Sequence, residues 1–155
     1  MSINHTLNRL LCLFGLLLFA NPSEATAQRD TLAGLWEGVL TIEKDGKISS
    51  EYTVFFNFSE ENDSISGISN IIYKDKSAKL FFQAELKTPE ILEIKETEII
   101  RADVLPNGEW CIKNIVLHRF FENNQLVWRG EWSGKTSFSN CSPGKIYLKR
   151  SIKRA

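Results

Sequence analysis

The sequence predicts an all-β domain, a single antiparallel up-and-down barrel of about eight strands that follows a cleaved signal peptide. From residue 35 onwards, segments in which apolar and polar residues alternate are separated by turn-forming residues. No long segment of this part of the chain has the apolar period of a helix. A flat sheet of eight strands would leave two long exposed edges, so we expect the first strand to pair with the eighth.

The first four strands are expected at residues 35–43, 50–59, 65–73 and 79–87. Each has one predominantly apolar parity, which in the second strand comprises Tyr52, Val54, Phe56 and Phe58 and in the fourth Leu80, Phe82, Ala84 and Leu86. Asp45-Gly46 predicts a tight hairpin between the first two strands because glycine accepts positive φ. Polar residues at 60–64 and 74–77 supply the next two turns.

The last four strands are expected at residues 91–104, 110–121, 126–134 and 145–150. Pro106-Asn107-Gly108 predicts the turn before the sixth strand, because proline presets the first turn dihedral. Asn123-Asn124 begins the turn before the seventh strand. A longer loop that contains Cys141 and Pro143-Gly144 leads to the eighth.

The fifth strand does not alternate cleanly, because Leu92 and Ile94 share a parity with Glu96 and Glu98. A β-bulge near residues 95–97 would explain this, since one extra residue exchanges the two faces. Without a bulge both carboxylates would point into the barrel, where one could raise the pKa of the other for acid–base chemistry.

The first 27 residues have the pattern of a secretory signal peptide. The apolar run at residues 10–20 is shorter than the roughly 18–20 residues that span a bilayer. Ala25-Thr26-Ala27 supplies the small residues that signal peptidase requires. We therefore expect a signal peptide at residues 1–27 and a secreted or periplasmic barrel domain at residues 28–155.

Charge and composition exclude several classes of partner. The chain has 19 basic and 19 acidic residues, so its formal net charge is zero and nothing suggests a nucleic-acid surface. The mature chain contains no apolar run that would span a membrane. A single histidine and two cysteines in the mature chain make a zinc site improbable, and we expect no metal and no cofactor.

Cys111 and Cys141 are the two cysteines left after signal cleavage. An even pair in an exported domain is typical of a disulfide, and two free buried thiols are the alternative.

Gly34-Leu35-Trp36 on the first strand resembles the G-x-W signature of the calycin superfamily, which comprises lipocalins, fatty-acid-binding proteins and avidins. The resemblance implies that Trp36 closes one end of the barrel and that a cation from the last strand, Arg150 or the adjacent Lys149, packs across its indole. It also implies that Gly34 lets the chain turn beneath the tryptophan. The chain departs from lipocalins because it lacks a helix before the last strand and a T-D-Y-like motif.

An eight-stranded barrel can be filled by its own side chains or can hold one small ligand. Trp128 and Trp132 alternate with Gly130 and Gly134, which would leave room beside the indoles. We therefore expect interior ligand contacts from an aromatic and polar set, namely Tyr52, Phe56, Phe82, Asn114, His118, Trp128 and Trp132. A solid aromatic core without a cavity is the alternative.

Three functions follow, in this order of preference. The first is an exported, non-catalytic, lipocalin-like protein that binds a small hydrophobic or aromatic ligand inside the barrel. The second is a solid barrel that acts as a structural or protein-interaction module, which an exposed apolar patch at Phe120, Phe121 and Tyr147 would favour. The third is a hydrolase or isomerase-type enzyme in which His118 acts with Glu96 or Glu98.

Overall fold

The computed structural model describes residues 31–106 and 108–151, so the predicted signal peptide lies outside the described residues. Eight antiparallel strands form one closed barrel in which sequence neighbours pair and the first strand pairs with the last. The predicted fold class, strand number and strand order are therefore confirmed. The described ranges contain no helix of the length and apolarity needed to cross a bilayer. The strands are β1 Gly34–Lys44, β2 Lys47–Glu61, β3 Ser64–Tyr73, β4 Lys76–Thr88, β5 Ile91–Ala102, β6 Ile112–Glu122, β7 Gln125–Lys135 and β8 Gly144–Arg150.

Three hairpins turn through two consecutive residues with positive φ. They are the turns at Asp45-Gly46, Asn62-Asp63 and Asn123-Asn124. This backbone geometry matches the right-handed twist of the flanking strands, and glycine, asparagine and aspartate adopt it most readily. The short polar turns therefore determine which strands pair, as the sequence predicts.

The barrel closes through five residue pairs between β1 and β8, from Trp36 opposite Arg150 to Leu40 opposite Ile146. Inward-pointing side chains from all eight strands pack in the interior. The largest of those that are less than 2 % exposed include Trp36, Phe56, Phe82, Ile71, Leu80, Leu92, Ile94, Ile115, Leu117 and Leu148. Pairing of β1 with β8 joins the first and last strands of the sheet, and the core removes these large apolar residues from water.

Two inward-facing glycines allow neighbouring strands to approach closely. A Cβ atom on Gly38 would lie 1.7 Å from the carbonyl oxygen of Tyr147 in β8. A Cβ atom on Gly130 would lie 1.8 Å from the carbonyl oxygen of Val116 in β6. The backbone of the adjacent strand thus occupies the space at Gly130 that was expected to be open beside the indoles.

The residues of β6 that point into the barrel are not the alternate set that the sequence predicts but the other one. Asn114 and His118 are exposed on the outer face, whereas Lys113, Ile115 and Leu117 are buried inside. The expected interior position of Asn114 and His118 is therefore wrong. Both parities of this strand carry large apolar residues, so alternation alone does not select the inner face, and the strand buries a lysine because a carboxylate pairs with it.

β5 separates from β6 halfway along its length. The two strands pair only from Ile91 opposite His118 to Lys95 opposite Asn114. Opposite β4, Thr97 is an extra residue on β5, which places a bulge in the predicted region. The bulge follows Glu96, so Glu96 points inward and Glu98 outward, and only one of the two carboxylates is exposed.

Candidate functional site

The aromatic residues predicted to contact a ligand pack mainly against one another. Phe56 and Phe82 are fully buried, with ring centroids 5.4 Å apart. Phe58 packs edge-on against Phe82 at 4.9 Å. Tyr52 is half-buried and stacks on Tyr73 at 4.6 Å. These contacts pack aromatic rings together on the inner faces of β2, β3 and β4.

The two predicted indoles are both 3 % exposed, but their N–H groups differ. The Trp132 Nε1 donates to the Thr41 carbonyl oxygen at 2.9 Å. The Trp128 Nε1 is buried without an acceptor among the described residues. A buried donor without an acceptor costs free energy, so Trp128 is the one predicted interior residue whose polar group is left for a water molecule or a ligand.

Ser69, Glu96 and Lys113 form a buried polar cluster inside the barrel. Ser69 Oγ donates to Glu96 Oε1 at 2.8 Å, and Lys113 Nζ lies 2.8 Å from Glu96 Oε2. The Lys113 backbone N–H also donates to Glu96 Oε2 at 3.0 Å. The carboxylate thus replaces a strand-to-strand hydrogen bond at the point where β5 leaves β6.

Burial changes the pKa of the lysine in this cluster. Desolvation lowers the pKa of the Lys113 ammonium below its ordinary value, although the attraction of Glu96 opposes the shift. Lys113 Nζ also donates to the Cys111 carbonyl oxygen at 2.7 Å. The cluster satisfies its own charges internally and has the properties of a structural pair.

The three predicted closure residues lie together at one end of the barrel. The Trp36 ring is fully buried, and its Nε1 donates to the Leu32 carbonyl oxygen at 2.8 Å. The Arg150 guanidinium lies 4.8 Å from the centroid of that ring and donates through Nη1 to the Ala33 carbonyl oxygen. Gly34 has a φ of 111°, and a Cβ atom there would lie 3.4 Å from Arg150 Nη1. Lys149 is instead exposed and lies 3.8 Å from Glu37.

Cys111 and Cys141 form a disulfide, as expected from the sequence. The bond joins the residue before β6 to the connection between β7 and β8, and the Cys141 N–H donates to the Gly134 carbonyl oxygen. A disulfide is compatible with an oxidising compartment outside the cytoplasm.

A concave site lies on the outer surface of the barrel. It encloses about 1100 Å³ over β1, β6, β7 and β8, and most of its lining is apolar. We call this site the outer groove. Twisted sheets are saddle-shaped, which can make the outer face of a barrel concave in one direction. The side chains that define the groove are Val39, Val116, His118, Phe120, Arg129 and Tyr147.

Four residues form one continuous row across the floor of the outer groove. Val39 is opposite Tyr147, Tyr147 is opposite Arg129, and Arg129 is opposite His118. The Arg129 guanidinium lies 5.5 Å from the Tyr147 ring centroid and 5.8 Å from that of Phe120. The arginine therefore stacks against two aromatic rings of the groove.

Most of the charged groups around the outer groove are paired. Arg129 forms an ion pair with Glu122, and Lys145 Nζ lies 2.9 Å from Glu43 Oε1. The Tyr147 hydroxyl donates to Glu122 Oε2 at 3.3 Å. Glu131 also lines the groove, which therefore presents aromatic and aliphatic surface with paired charges and one further carboxylate.

A second, smaller concavity of about 650 Å³ lies outside β4, β5 and β6. Charged and polar side chains such as Gln83, Glu85, Glu93 and Lys95 line it. A larger share of its surface is polar than in the outer groove, so the outer groove is the stronger candidate for binding a largely apolar organic ligand.

The residues of the enzyme hypothesis do not come together. His118 is on the outer face, while Glu96 is buried in the interior. Glu98 follows Ile91, the partner of His118, by seven positions along β5, a separation of roughly 20 Å at the usual rise per residue. Within the described ranges, no three histidine, cysteine, aspartate or glutamate side chains are grouped so that they could hold a metal ion.

No protein-family model matches the chain, and no curated protein is significantly similar to it.

Sequence reasoning missed Lys113 and most of the outer groove. Lys113 belongs to the parity that was assigned to the surface, and only its neighbour Glu96 on the adjacent strand hinted at a buried pair. The groove residues come from four strands and share no local motif, so only the strand register brings Val39, Tyr147 and Arg129 side by side.

Proposed function

We propose that this protein is an exported, non-catalytic, calycin-like binding protein that takes a small, largely apolar or aromatic molecule in the outer groove. One observation carries the proposal: the large aliphatic and aromatic concavity lies outside the barrel, while the aromatic residues of the interior pack against one another. The ligand class is the one predicted from the sequence, but the proposed binding site is the outer groove instead of the barrel interior.

The size and chemistry of the outer groove suit such a ligand. Ligand sites usually enclose about 300–1000 Å³ and combine apolar walls with few polar groups. Val116 and Phe120 are 41 % and 45 % exposed, so a ligand would remove apolar area from water. Arg129 and His118, adjacent in the groove, would orient a polar end of the ligand.

The closed end of the barrel supports the calycin relationship. An eight-stranded antiparallel barrel with Trp36 on β1 and the Arg150 guanidinium across its ring has the features that the sequence resemblance implies. Export is supported by the signal-peptide-like pattern of residues 1–27 and by the Cys111–Cys141 disulfide.

A protein-interaction module is the second candidate. Phe120, which lines the outer groove, and Phe121 at the end of β6 are 45 % and 64 % exposed. Consecutive residues of a strand point to opposite faces, so the two rings do not form one patch with Tyr147. Exposed apolar side chains of this kind still favour contact with a partner protein.

The proposal is tested by titrating the purified protein with the neutral fluorescent dye N-phenylnaphthylamine. We expect saturable binding that Val116→Arg weakens about tenfold or more, because the substitution places a charge among the apolar walls of the groove. Val104→Arg is the matched control, since Val104 is 86 % exposed and lies outside the groove.

Two results would contradict the proposal. If Val116→Arg leaves dye binding unchanged, the dye binds outside the groove, which is the result expected for a site in the barrel interior. An absence of dye binding, together with a native mass spectrum without a co-purified molecule, would favour the interaction module.

A further inference from the structure

The second half of β5 has a free edge. Residues 97–102 are all exposed, and they pair with β4 on one side only. Pairing with β6 ends at Lys95, and no other described strand covers this edge. A strand edge of this kind can accept a further strand through backbone hydrogen bonds.

The side chains along this edge are apolar in the centre and charged at both ends. Ile99 and Ile100 are 37 % and 51 % exposed. Glu98 precedes them and Arg101 follows them, and neither forms an ion pair with another described residue. A partner that supplies apolar contact and opposite charge would therefore be complementary to the edge.

A second bulge in β5 places the two charges on one face. Glu98 is opposite Phe81 and Arg101 is opposite Lys79, both of which lie on the outer face of β4. In a regular strand, residues three positions apart point to opposite faces. Ile100 is an extra residue relative to β4, so Glu98 and Arg101 share the outer face.

We infer that the β5 edge pairs antiparallel with the same edge of a second copy of the chain, around a two-fold axis between Ile99 and Ile100. In this register Glu98 of one copy is opposite Arg101 of the other, and Ile99 is opposite Ile100. A two-fold interface presents the same surface twice, so two ion pairs flank one apolar centre. The segment is complementary to itself in both charge and hydrophobicity.

The dimer goes beyond the proposed ligand binding and does not depend on it. The outer groove is formed by β1, β6, β7 and β8, whereas the dimer edge belongs to β5. Failure of one proposal therefore leaves the other intact.

Sedimentation velocity of the purified protein over a range of concentrations tests the dimer. We expect a reversible monomer–dimer equilibrium in which Glu98→Arg and Arg101→Glu each raise the dissociation constant about tenfold or more, because both cross-strand pairs become like-charged. The charge-swapped double variant Glu98→Arg/Arg101→Glu restores opposite charges and should return the dissociation constant close to its original value.

Glu51→Arg is the control, since Glu51 is exposed on β2 and takes no part in the edge. Circular dichroism melting identifies any variant that fails to fold. A protein that stays monomeric at its highest soluble concentration overturns the inference. So does a dimer that single charge reversals leave unchanged, or one that the charge swap does not restore.

Discussion

The Lys113 ammonium lies 2.8 Å from the Glu96 carboxylate inside the barrel, and the two side chains are 4 % and 0 % exposed. Ser69 and the Lys113 backbone N–H supply further hydrogen bonds to the same carboxylate. An ion pair in an apolar interior repays its desolvation only when its geometry is good and its hydrogen bonds are satisfied. Each charge is therefore tolerated only while the other is present.

Removing the acidic member of this pair should destabilise the barrel strongly. Glu96→Gln leaves the Lys113 ammonium buried without its partner, and we expect it to lower the free energy of unfolding by about 3–5 kcal/mol. Lys113→Met removes a charge whose burial is itself costly, so its loss should be smaller. The double variant leaves no buried charge and should be more stable than either single variant. Urea unfolding of all four proteins measures the coupling, and additive losses would show that the two residues act independently.

The stability of the wild-type protein should depend on pH through Lys113. Burial lowers the pKa of the folded lysine, so between that pKa and the ordinary value of 10.5 the unfolded chain binds more protons than the folded one. The free energy of unfolding therefore increases with pH across this alkaline range. The free energy of unfolding should be measured for wild type and for Lys113→Met across this pH range. The wild-type value minus the variant value should increase with pH, and a difference that stays constant or decreases would contradict the lowered pKa.

The two interior indoles should respond differently to the same substitution. Trp132→Phe removes a hydrogen bond to Thr41, whereas Trp128→Phe removes a donor that has no acceptor among the described residues. Both substitutions delete a similar volume, so we expect Trp132→Phe to cost about 1 kcal/mol more in the free energy of unfolding. Equal losses in denaturant titrations would indicate that the Trp128 N–H has a partner, such as a buried water molecule.

The disulfide should contribute measurably to stability. It joins residues 30 positions apart, and closure of such a loop lowers the entropy of the unfolded chain by an amount worth about 3–4 kcal/mol. A Cys111→Ala/Cys141→Ala variant should lose about this much in chemical denaturation. Added reductant should destabilise the wild type and leave the variant unchanged; equal sensitivity of both would argue against a stabilising bridge.

Arg150 should stabilise the closed end through Trp36. Arg150→Leu removes the cation over the indole ring and the hydrogen bond to Ala33, at an expected cost of about 1–2 kcal/mol. Lys149→Leu is the matched control, because Lys149 is exposed and its ion pair with Glu37 contributes little. Thermal unfolding separates the two, and losses of equal size would contradict a specific role for Arg150.

Some strands were predictable because one parity of their residues is predominantly apolar. β2 and β4 are of this kind, with Phe56 and Phe82 on the apolar parity that faces the core. β6 was misassigned because Ile112, Val116 and Phe120 compete with Ile115 and Leu117 for the interior. A shift of one residue moves every side chain of a strand to the other face of the sheet. Choosing the wrong parity for β6 therefore predicted the wrong face for both His118 and Asn114.

The sequence by itself determined the all-β class, the eight strands and their order, and the cysteine pair. These depend on alternation, on turn residues such as Asn123-Asn124 and on composition, all of which are local properties. Only the tertiary structure decided which concavity exists, which carboxylate is buried and where an edge remains open. Those features depend on register between strands, as when Glu96 meets Lys113 or Tyr147 meets Arg129. Register arises from packing the whole barrel at once, and no short segment encodes it.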